Sequence, residues 1–494
     1  MNDRYRPLFH FTAPRGWIND PNGLLYFEGE YHLFYQHIPP EQGWGSGGRF
    51  LPHWGHAVSP DTLHWTHLPI ALYPDHLGAI YSGSAVVDHS DTSGFFAGKA
   101  GLVAIFTHHN ARAAPLGTEV QSIASSTDRG RTWTLFAQNP VIGNPGVRDF
   151  RDPKVLWHAP TRRWVMIVTY NTDRVRFYIS ENLREWSLAS EFGAGQGVHD
   201  GAWECPDLFE LAVDDDPRHT RWVLHLSTYH GTPTAERTGM QYFVGDFDGT
   251  TFHNTNPAST VLTTDYGRDN YAAITWGDPP AADGRRLMIG WMSDWAYARI
   301  TPTAPWQGAM TLPRELRLRQ CAEGIRLIQR PVAEMELLRG RHARWTAQPL
   351  SPAHSVWERD IGEALDIVAI FQLGSATECG IRAHSGEREH TTVGYDRGTA
   401  TLFVDRTQSG PADVSPAFSG RHAAPLAQVG ETISMRLFID RTSVEVFGND
   451  GDSVVTSLIF PEGPRITLEF YATGGEARLV SADIFQIDAA QEAL

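Results

Sequence analysis

Five times before residue 275, a polar side chain stands just ahead of a short apolar run, and the interval between these positions is nearly constant. Asp20 precedes Leu24–Phe27, Ser82 precedes Ala85–Val87, Asp152 precedes Val155–Trp157, Glu204 precedes Leu208–Phe209, and Asp269 precedes Tyr271–Ile274. The five positions lie 62, 70, 52 and 65 residues apart. A unit of that size holds about four short strands, which is one propeller blade, so five units predict a five-bladed β-propeller. A large β-sandwich with accidental spacing is the bland alternative. A second repeat agrees with the first. Ser59–Trp65, Ser126–Trp133, Ser180–Trp186 and, more loosely, Gly245–Phe252 each carry an Asp or Asn able to fix a turn on its own backbone, followed by an aromatic to pin that turn to the core.

The segments between these signals read as strands. Leu24–Phe27 with Tyr31–Tyr35, Val155–Trp157 with Trp164–Thr169, and Trp222–Ser227 with Met240–Gly245 have the pattern of hairpins. After Arg330 the character changes. Pro331–Leu338 reads as a short helical connection, and from about residue 355 the strands lengthen and the polar repeat stops. The expectation is an all-β chain: a five-bladed β-propeller over residues 1–330, a linker over 331–340, and a C-terminal antiparallel β-sandwich over 341–494.

Composition narrows the partners. Among 494 residues, 41 basic and 57 acidic side chains leave a formal charge of −16, which repels nucleic-acid phosphates and suits a neutral substrate. No segment approaches the roughly 20 apolar residues that cross a bilayer, and the start of the chain lacks a secretory signal pattern. A membrane partner is not expected, and the chain reads as cytoplasmic as written or as the mature form of a secreted protein. Oligomeric state is not readable. The three cysteines are too few and too scattered for a disulfide framework. Cys205, next to Glu204 but without a recognisable His partner, reads as a small buried residue rather than a nucleophile. His53, His56, His64 and His67 have loosely metal-like spacing, but strand alternation scatters them over both faces, so neither a metal nor a cofactor is expected.

In a propeller the innermost strands line one axis, so residues at matching offsets converge however distant they are in sequence. Asp20, Asp152 and Glu204 share an acid-then-proline offset and are expected in one axial pocket. Three confined carboxylates cannot all ionise easily, and one protonated acid beside one ionised carboxylate is what glycosidic cleavage requires. Arg151, adjacent to Asp152, is expected to help keep it ionised; Glu204, with the longest reach and no adjacent cation, then suits the acid, leaving Asp20 as nucleophile. Local context alone does not fix that order.

Trp17-Ile-Asn-Asp20-Pro-Asn-Gly23, Arg151-Asp152-Pro153 and Glu204-Cys205-Pro206 resemble, in the same order, three signatures of glycoside hydrolase family 32, the invertases, inulinases and levanases. Tyr81–Ser84, Asp265–Arg268, Gly290–Met292, Pro305–Glu315 and Asp440–Phe447 extend the resemblance over nearly the whole chain. It implies a retaining double displacement with Asp20 as nucleophile, Glu204 as acid/base and Asp152 as transition-state stabiliser. Asn19, Gln36, Trp44, Ser82 and Arg151 match positions that bind the first sugar, and Asp265 matches one on the leaving-group side. Tyr81 stands where the family usually has Phe and is expected to touch the sugar. The implied substrate is a small or oligomeric fructoside, with sucrose and short β-fructosides favoured, and with transfer of fructose to another sugar open beside hydrolysis. The alternatives are an exo-acting fructan hydrolase, an inverting propeller glycosidase, and a non-catalytic sugar-binding propeller.

Overall fold

The computed structural model describes residues 4–490 apart from 43–50, 114–117, 233–234, 281–282, 360, 387, 411–413 and 464. Among the described residues the architecture is all-β, interrupted only by short 3-10 turns. Up to residue 331 the strands form sheets of five, four, four and nine members. The nine-stranded sheet consists of two antiparallel groups, one around Ala202–Val213 and one around Arg314–Cys321, joined by a single parallel pairing of Val213 with Leu318.

Five strands carry the polar repeat: Gly16–Phe27, Ala79–Asp88, Phe150–His158, Ala202–Val213 and Tyr271–Thr275. Each breaks register with its antiparallel partner near the repeat position: between Ile18 and Pro21 and again between Asn22 and Leu25 in the first, then between Ile80 and Gly83, Arg151 and Lys154, Glu204 and Asp207, and Tyr271 and Ile274, the fourth strand breaking once more between Ala212 and Val213. A bulge leaves extra residues unpaired and bends the strand, which accommodates proline and lets the backbone turn side chains off the pleat. Gly23, Asp152, Cys205 and Ala272 sit in these bulges with φ of +55°, +64°, +47° and +53°. The sequence places Asp20, Asp152 and Glu204 ahead of their strands; the structure places them inside, because the bulge absorbs the Pro and Gly that look like strand breakers.

Hydrogen bonds link each bulged strand to the next. Gly83 N donates to Asn22 Oδ1 (3.0 Å) and Val155 N to Ser84 Oγ (3.0 Å). Cys205 N donates to Asp152 Oδ2 (3.0 Å) and Thr275 N to Asp207 Oδ2 (2.6 Å). Gly277 N returns to Leu24 O (2.9 Å), so the fifth strand meets the first. At the edge of the first sheet, beside its bulged strand, Trp306–Gln307 pairs in parallel with Gly16 and Trp17. The turn repeat is equally concrete: Asp61, Asp128, Asn182 and Asp248 each accept backbone N–H groups two to four residues ahead, at 2.8–3.0 Å.

Past a 3-10 helix at Ala333–Leu338, two six-stranded antiparallel sheets share one apolar core. They also join the first part of the molecule. Phe438, Phe447, Val454 and Ile487 pack in one cluster with Phe9, Phe11, Met310 and Val332. Beside it lies a buried polar network: Arg314 donates to Asp265 Oδ2 (2.9 Å), Glu445 Oε2 (2.6 Å) and Thr456 Oγ1 (2.6 Å), while His10 bridges Asp440 (2.8 Å) and Glu445 (2.9 Å). Asp269 meets Arg406 and accepts from Tyr297 (2.6 Å). The fifth repeat acid is therefore committed to the joint between the two parts, and its place in the bulge is taken by Tyr271 and Ala272.

Candidate active site

Asp20, Asp152 and Glu204 line one cavity of about 370 Å³ together with Asn19, Gln36, Tyr81, Ser82 and Arg151. No two of the three acids are sequence neighbours; the bulged strands bring them together. Asp20 Oδ2 and Asp152 Oδ2 lie 3.5 and 3.7 Å from the same Cys205 sulfur. The Arg151 guanidinium reaches Glu204 Oε1 at 2.8 Å and stands 4.0 Å from Asp152 Oδ2. Asp20 is oriented by two donors, Ser82 Oγ to Oδ2 (2.6 Å) and Asn19 Nδ2 to Oδ1 (2.9 Å), and Asn19 in turn accepts from Trp17 Nε1 (2.7 Å).

The charge environment separates the acids. Burial pushes the Asp152 carboxyl up to about 8; Arg151 opposes that shift, and the charges of Glu204 and Asp20 add to it. Burial likewise raises the Cys205 thiol well above its ordinary value, so it stays protonated, and its backbone N–H donates to Asp152. Glu204 accepts from Arg151 on one oxygen and from the Tyr271 hydroxyl on the other. Arg151 thus stands beside Asp152 and opposes the rise of its carboxyl as expected, while its hydrogen bond to Glu204 corrects the expectation that Glu204 lacks a cation. The bulge at Asp152 turns consecutive side chains apart, so Arg151 also reaches across to the neighbouring strand.

Asp265 is the expected site residue that lies apart from the cavity. It is 4% exposed, and its carboxylate accepts from Arg314, Thr456, Asn270 and Gly267 within the joint to the C-terminal sheets. A Cβ on Gly267 would stand 1.9 Å from Thr456 O, which shows how closely that loop is pressed there. Trp44 falls outside the described residues. The four histidines with metal-like spacing go separate ways: His56 bonds His32 (3.0 Å), His64 bonds Asp61 (2.7 Å), His53 bonds Leu51 O (2.9 Å), and His67 packs against the Phe11 ring (5.2 Å). Among the described residues no His, Cys, Asp and Glu group is placed to hold a metal, and no helix is long and apolar enough to cross a membrane.

Sequence reasoning missed several lining or supporting groups. Tyr229, Trp295 and Arg299 complete the cavity wall, with Trp295 stacked on Trp17 (5.8 Å, 23°) and Arg299 over the Trp295 ring (5.2 Å). Trp295 follows the Gly290–Met292 signature closely enough to have been found; Tyr229 and Arg299 sit in no motif. Glu119, 3% exposed, holds Arg151 at 3.3 Å and accepts from Phe150 N at 2.7 Å, and Asp149 also pairs with Arg151. An acid buried beneath an arginine leaves no trace in local sequence.

A family model described as the glycosyl hydrolases family 32 N-terminal domain matches residues 10–331, and one described as the glycosyl hydrolases family 32 C terminal matches residues 334–486. A levanase of Bacillus subtilis (strain 168) is 51% identical over 488 residues, which cover 98% of this chain and 70% of that protein. The crystal structure of the exo-inulinase from Aspergillus awamori superposes with a TM-score of 0.88 at 35% identity, covering 98% of this chain and 99% of that one. A fructofuranosidase from Schwanniomyces occidentalis complexed with fructose gives 0.88 at 30% identity, covering 99% of each.

Proposed function

The chain belongs to glycosyl hydrolase family 32, and on that premise we propose that it is a retaining exo-fructosidase, releasing terminal fructose from sucrose and from fructan chains through a covalent fructosyl-enzyme. The observation that carries this reading is the convergence of Asp20, Asp152 and Glu204 on one cavity. We read the nine-stranded sheet as two blades joined edge to edge, so that residues up to 330 are a five-bladed propeller, 331–340 a linker, and 341–494 a β-sandwich. The closed circuit of hydrogen bonds among the five bulged strands supports that division.

In this reading Asp20 attacks the anomeric carbon, held in line by Ser82 and Asn19. Glu204 protonates the departing oxygen and later deprotonates the water that releases fructose. Burial makes the Asp152 carboxyl harder to ionise than an ordinary aspartate. A sugar whose hydroxyls donate to Asp152 favours its ionised form, which then stabilises the oxocarbenium-like transition state. Asn19, Gln36, Tyr81, Ser82 and Arg151 bind the sugar from the cavity wall. The names of the relatives, a levanase and an exo-inulinase, favour polymeric fructans beside the short fructosides suggested by sequence.

The test is a panel of sucrose, raffinose, inulin and levan, with the anomeric configuration of the first product followed by NMR. Free fructose from each, formed with retention, is expected; inversion overturns the mechanism. Asp20→Asn and Glu204→Gln should each lower kcat by orders of magnitude, about 10³-fold or more, with circular dichroism unchanged. Near-parental activity in either variant removes its assignment.

A further inference from the structure

We infer that Tyr297 is a positioning residue for the catalytic cavity, through which Arg406 of the C-terminal sheets holds the wall that carries Trp295 and Arg299. The inference rests on the fructosidase reading above and deepens it, because the wall belongs to the same cavity. Between the strand ending at Trp291 and the pairing at Trp306 the chain forms no strand, and its one regular element is a turn of 3-10 helix at Ala298–Ile300. A single turn contributes little order of its own. The wall takes its position from what it touches.

Two of its side chains do not line the cavity and anchor the segment instead. Asp294, wholly buried, accepts Ala296 N on Oδ1 (2.8 Å), and Arg268 Nε (3.0 Å) and Thr238 N (3.3 Å) on Oδ2. Tyr297 is 1% exposed; its hydroxyl donates to Asp269 Oδ1 (2.6 Å) and accepts from Arg406 Nη2 (2.9 Å). Arg406, on the strand Thr401–Gln408, is itself fixed. Its guanidinium also donates to Asp269 Oδ2 (2.5 Å), Phe418 O (2.5 Å) and Leu458 O (3.1 Å), and lies 4.1 Å over the Phe418 ring. A planar fork held by that many partners cannot follow a displaced tyrosine.

Trp295 and Arg299, each two residues from Tyr297, are the side chains that the wall turns to the cavity. Trp295 stacks on Trp17 (5.8 Å, 23°), Trp17 Nε1 donates to Asn19 Oδ1 (2.7 Å), and Asn19 donates to Asp20 Oδ1 (2.9 Å). A contact made by the C-terminal sheets is thus continuous with the surface that meets the sugar. A buried ion pair adds little stability over apolar packing of the same volume. What the Arg406–Asp269 pair supplies here is a fixed point for the Tyr297 hydroxyl.

The test uses the full chain. Tyr297→Phe keeps the ring and the Arg406–Asp269 pair and deletes only the hydroxyl. KM for sucrose should rise about three- to tenfold, the net worth of one hydrogen bond, while kcat stays within about twofold. Amide exchange over residues 294–300, read by mass spectrometry, should quicken about threefold or more. His10→Gln, at the same joint but bonded to Asp440 and Glu445, is the control; it should lower the melting temperature and leave KM and that exchange unchanged. Trp295→Ala removes the ring through which Tyr297 acts, so adding Tyr297→Phe to it should raise KM by less than about twofold further. Arg406→Lys, which keeps the charge but not the fork, should repeat the Tyr297→Phe pattern, and it replaces that variant if Tyr297→Phe does not fold. An unchanged KM or exchange rate, an equal rise in His10→Gln, or full additivity with Trp295→Ala overturns the inference. A chain that releases fructose from no substrate sinks the fructosidase reading instead, and the exchange rates then decide whether Tyr297 holds the wall.

Discussion

Arg151 directs its guanidinium to Glu119, Asp149 and Glu204, and stands farther, at 4.0 Å, from the residue that follows it. At this scale the sequence was legible for identity and poor for pairing. The acids stood out because proline and a strand follow each of them, whereas the partners of those acids depend on the direction in which a bulge throws each side chain. Asp265 shows the same limit: its motif marks it, but only the fold reveals that its charge faces Arg314. The joint to which it belongs offers a residue-scale prediction. Burial alone would lower the His10 imidazole, but the hydrogen bonds and charges of Asp440 and Glu445 outweigh it and raise the group to about 9. The folded value lies above the ordinary 6.5, so this stabilisation is complete below about pH 6.5 and is lost as pH rises through 9. His10→Gln should reduce unfolding free energy by about 3 kcal/mol near pH 6, with the deficit shrinking toward pH 10 in urea titrations. A deficit independent of pH would show that packing, not the charge of His10, is what the substitution removes.

Among the elements, the five bulged strands do the positioning. Their spacing was readable because a repeating unit repeats its turns, and Asp61, Asp128 and Asn182 fix those turns as the side-chain chemistry requires. The bulges were not readable, since Pro and Gly in a sequence mark a strand's end as readily as its interior irregularity. Gly83 tests how tightly one bulge is held. A Cβ there would stand 2.1 Å from Ile105 O and 2.6 Å from Phe106 Cα, both backbone atoms of the adjoining strand. Gly83→Ala should destabilise by about 1–3 kcal/mol and, because Ser82 orients Asp20, reduce kcat more than KM. Thermal melts and steady-state kinetics on one preparation check both. An unchanged melting temperature would mean that the strand relaxes without strain.

For the molecule as a whole, the C-terminal sheets are part of one structure with the sheets that bear the site. Sequence separated the two regions by strand length and by loss of the repeat, but gave no sign that Asp265 and Asp269, Arg314 and Arg406, His10 and Glu445 interlock across the joint, since ion pairs between distant segments have no local signature. The C-terminal sheets cover apolar side chains such as Phe9, Phe11 and Met310 and supply Glu445 and Arg406 as ion-pair partners to the buried Arg314 and Asp269. Breaking one such pair costs about 3–5 kcal/mol, and removal of the whole region breaks several. A chain ending at residue 340 should therefore be insoluble on expression and recover no activity on refolding; a soluble, active fragment would refute that interdependence. The pairing of Gly16 with Trp306 has a consequence for how the protein is born. The strand bearing Asp20 is made almost three hundred residues before one of its two neighbours in the sheet. At about 5–20 residues per second, the nascent chain carries an unsatisfied β edge for many seconds, and birth order and assembly order part company.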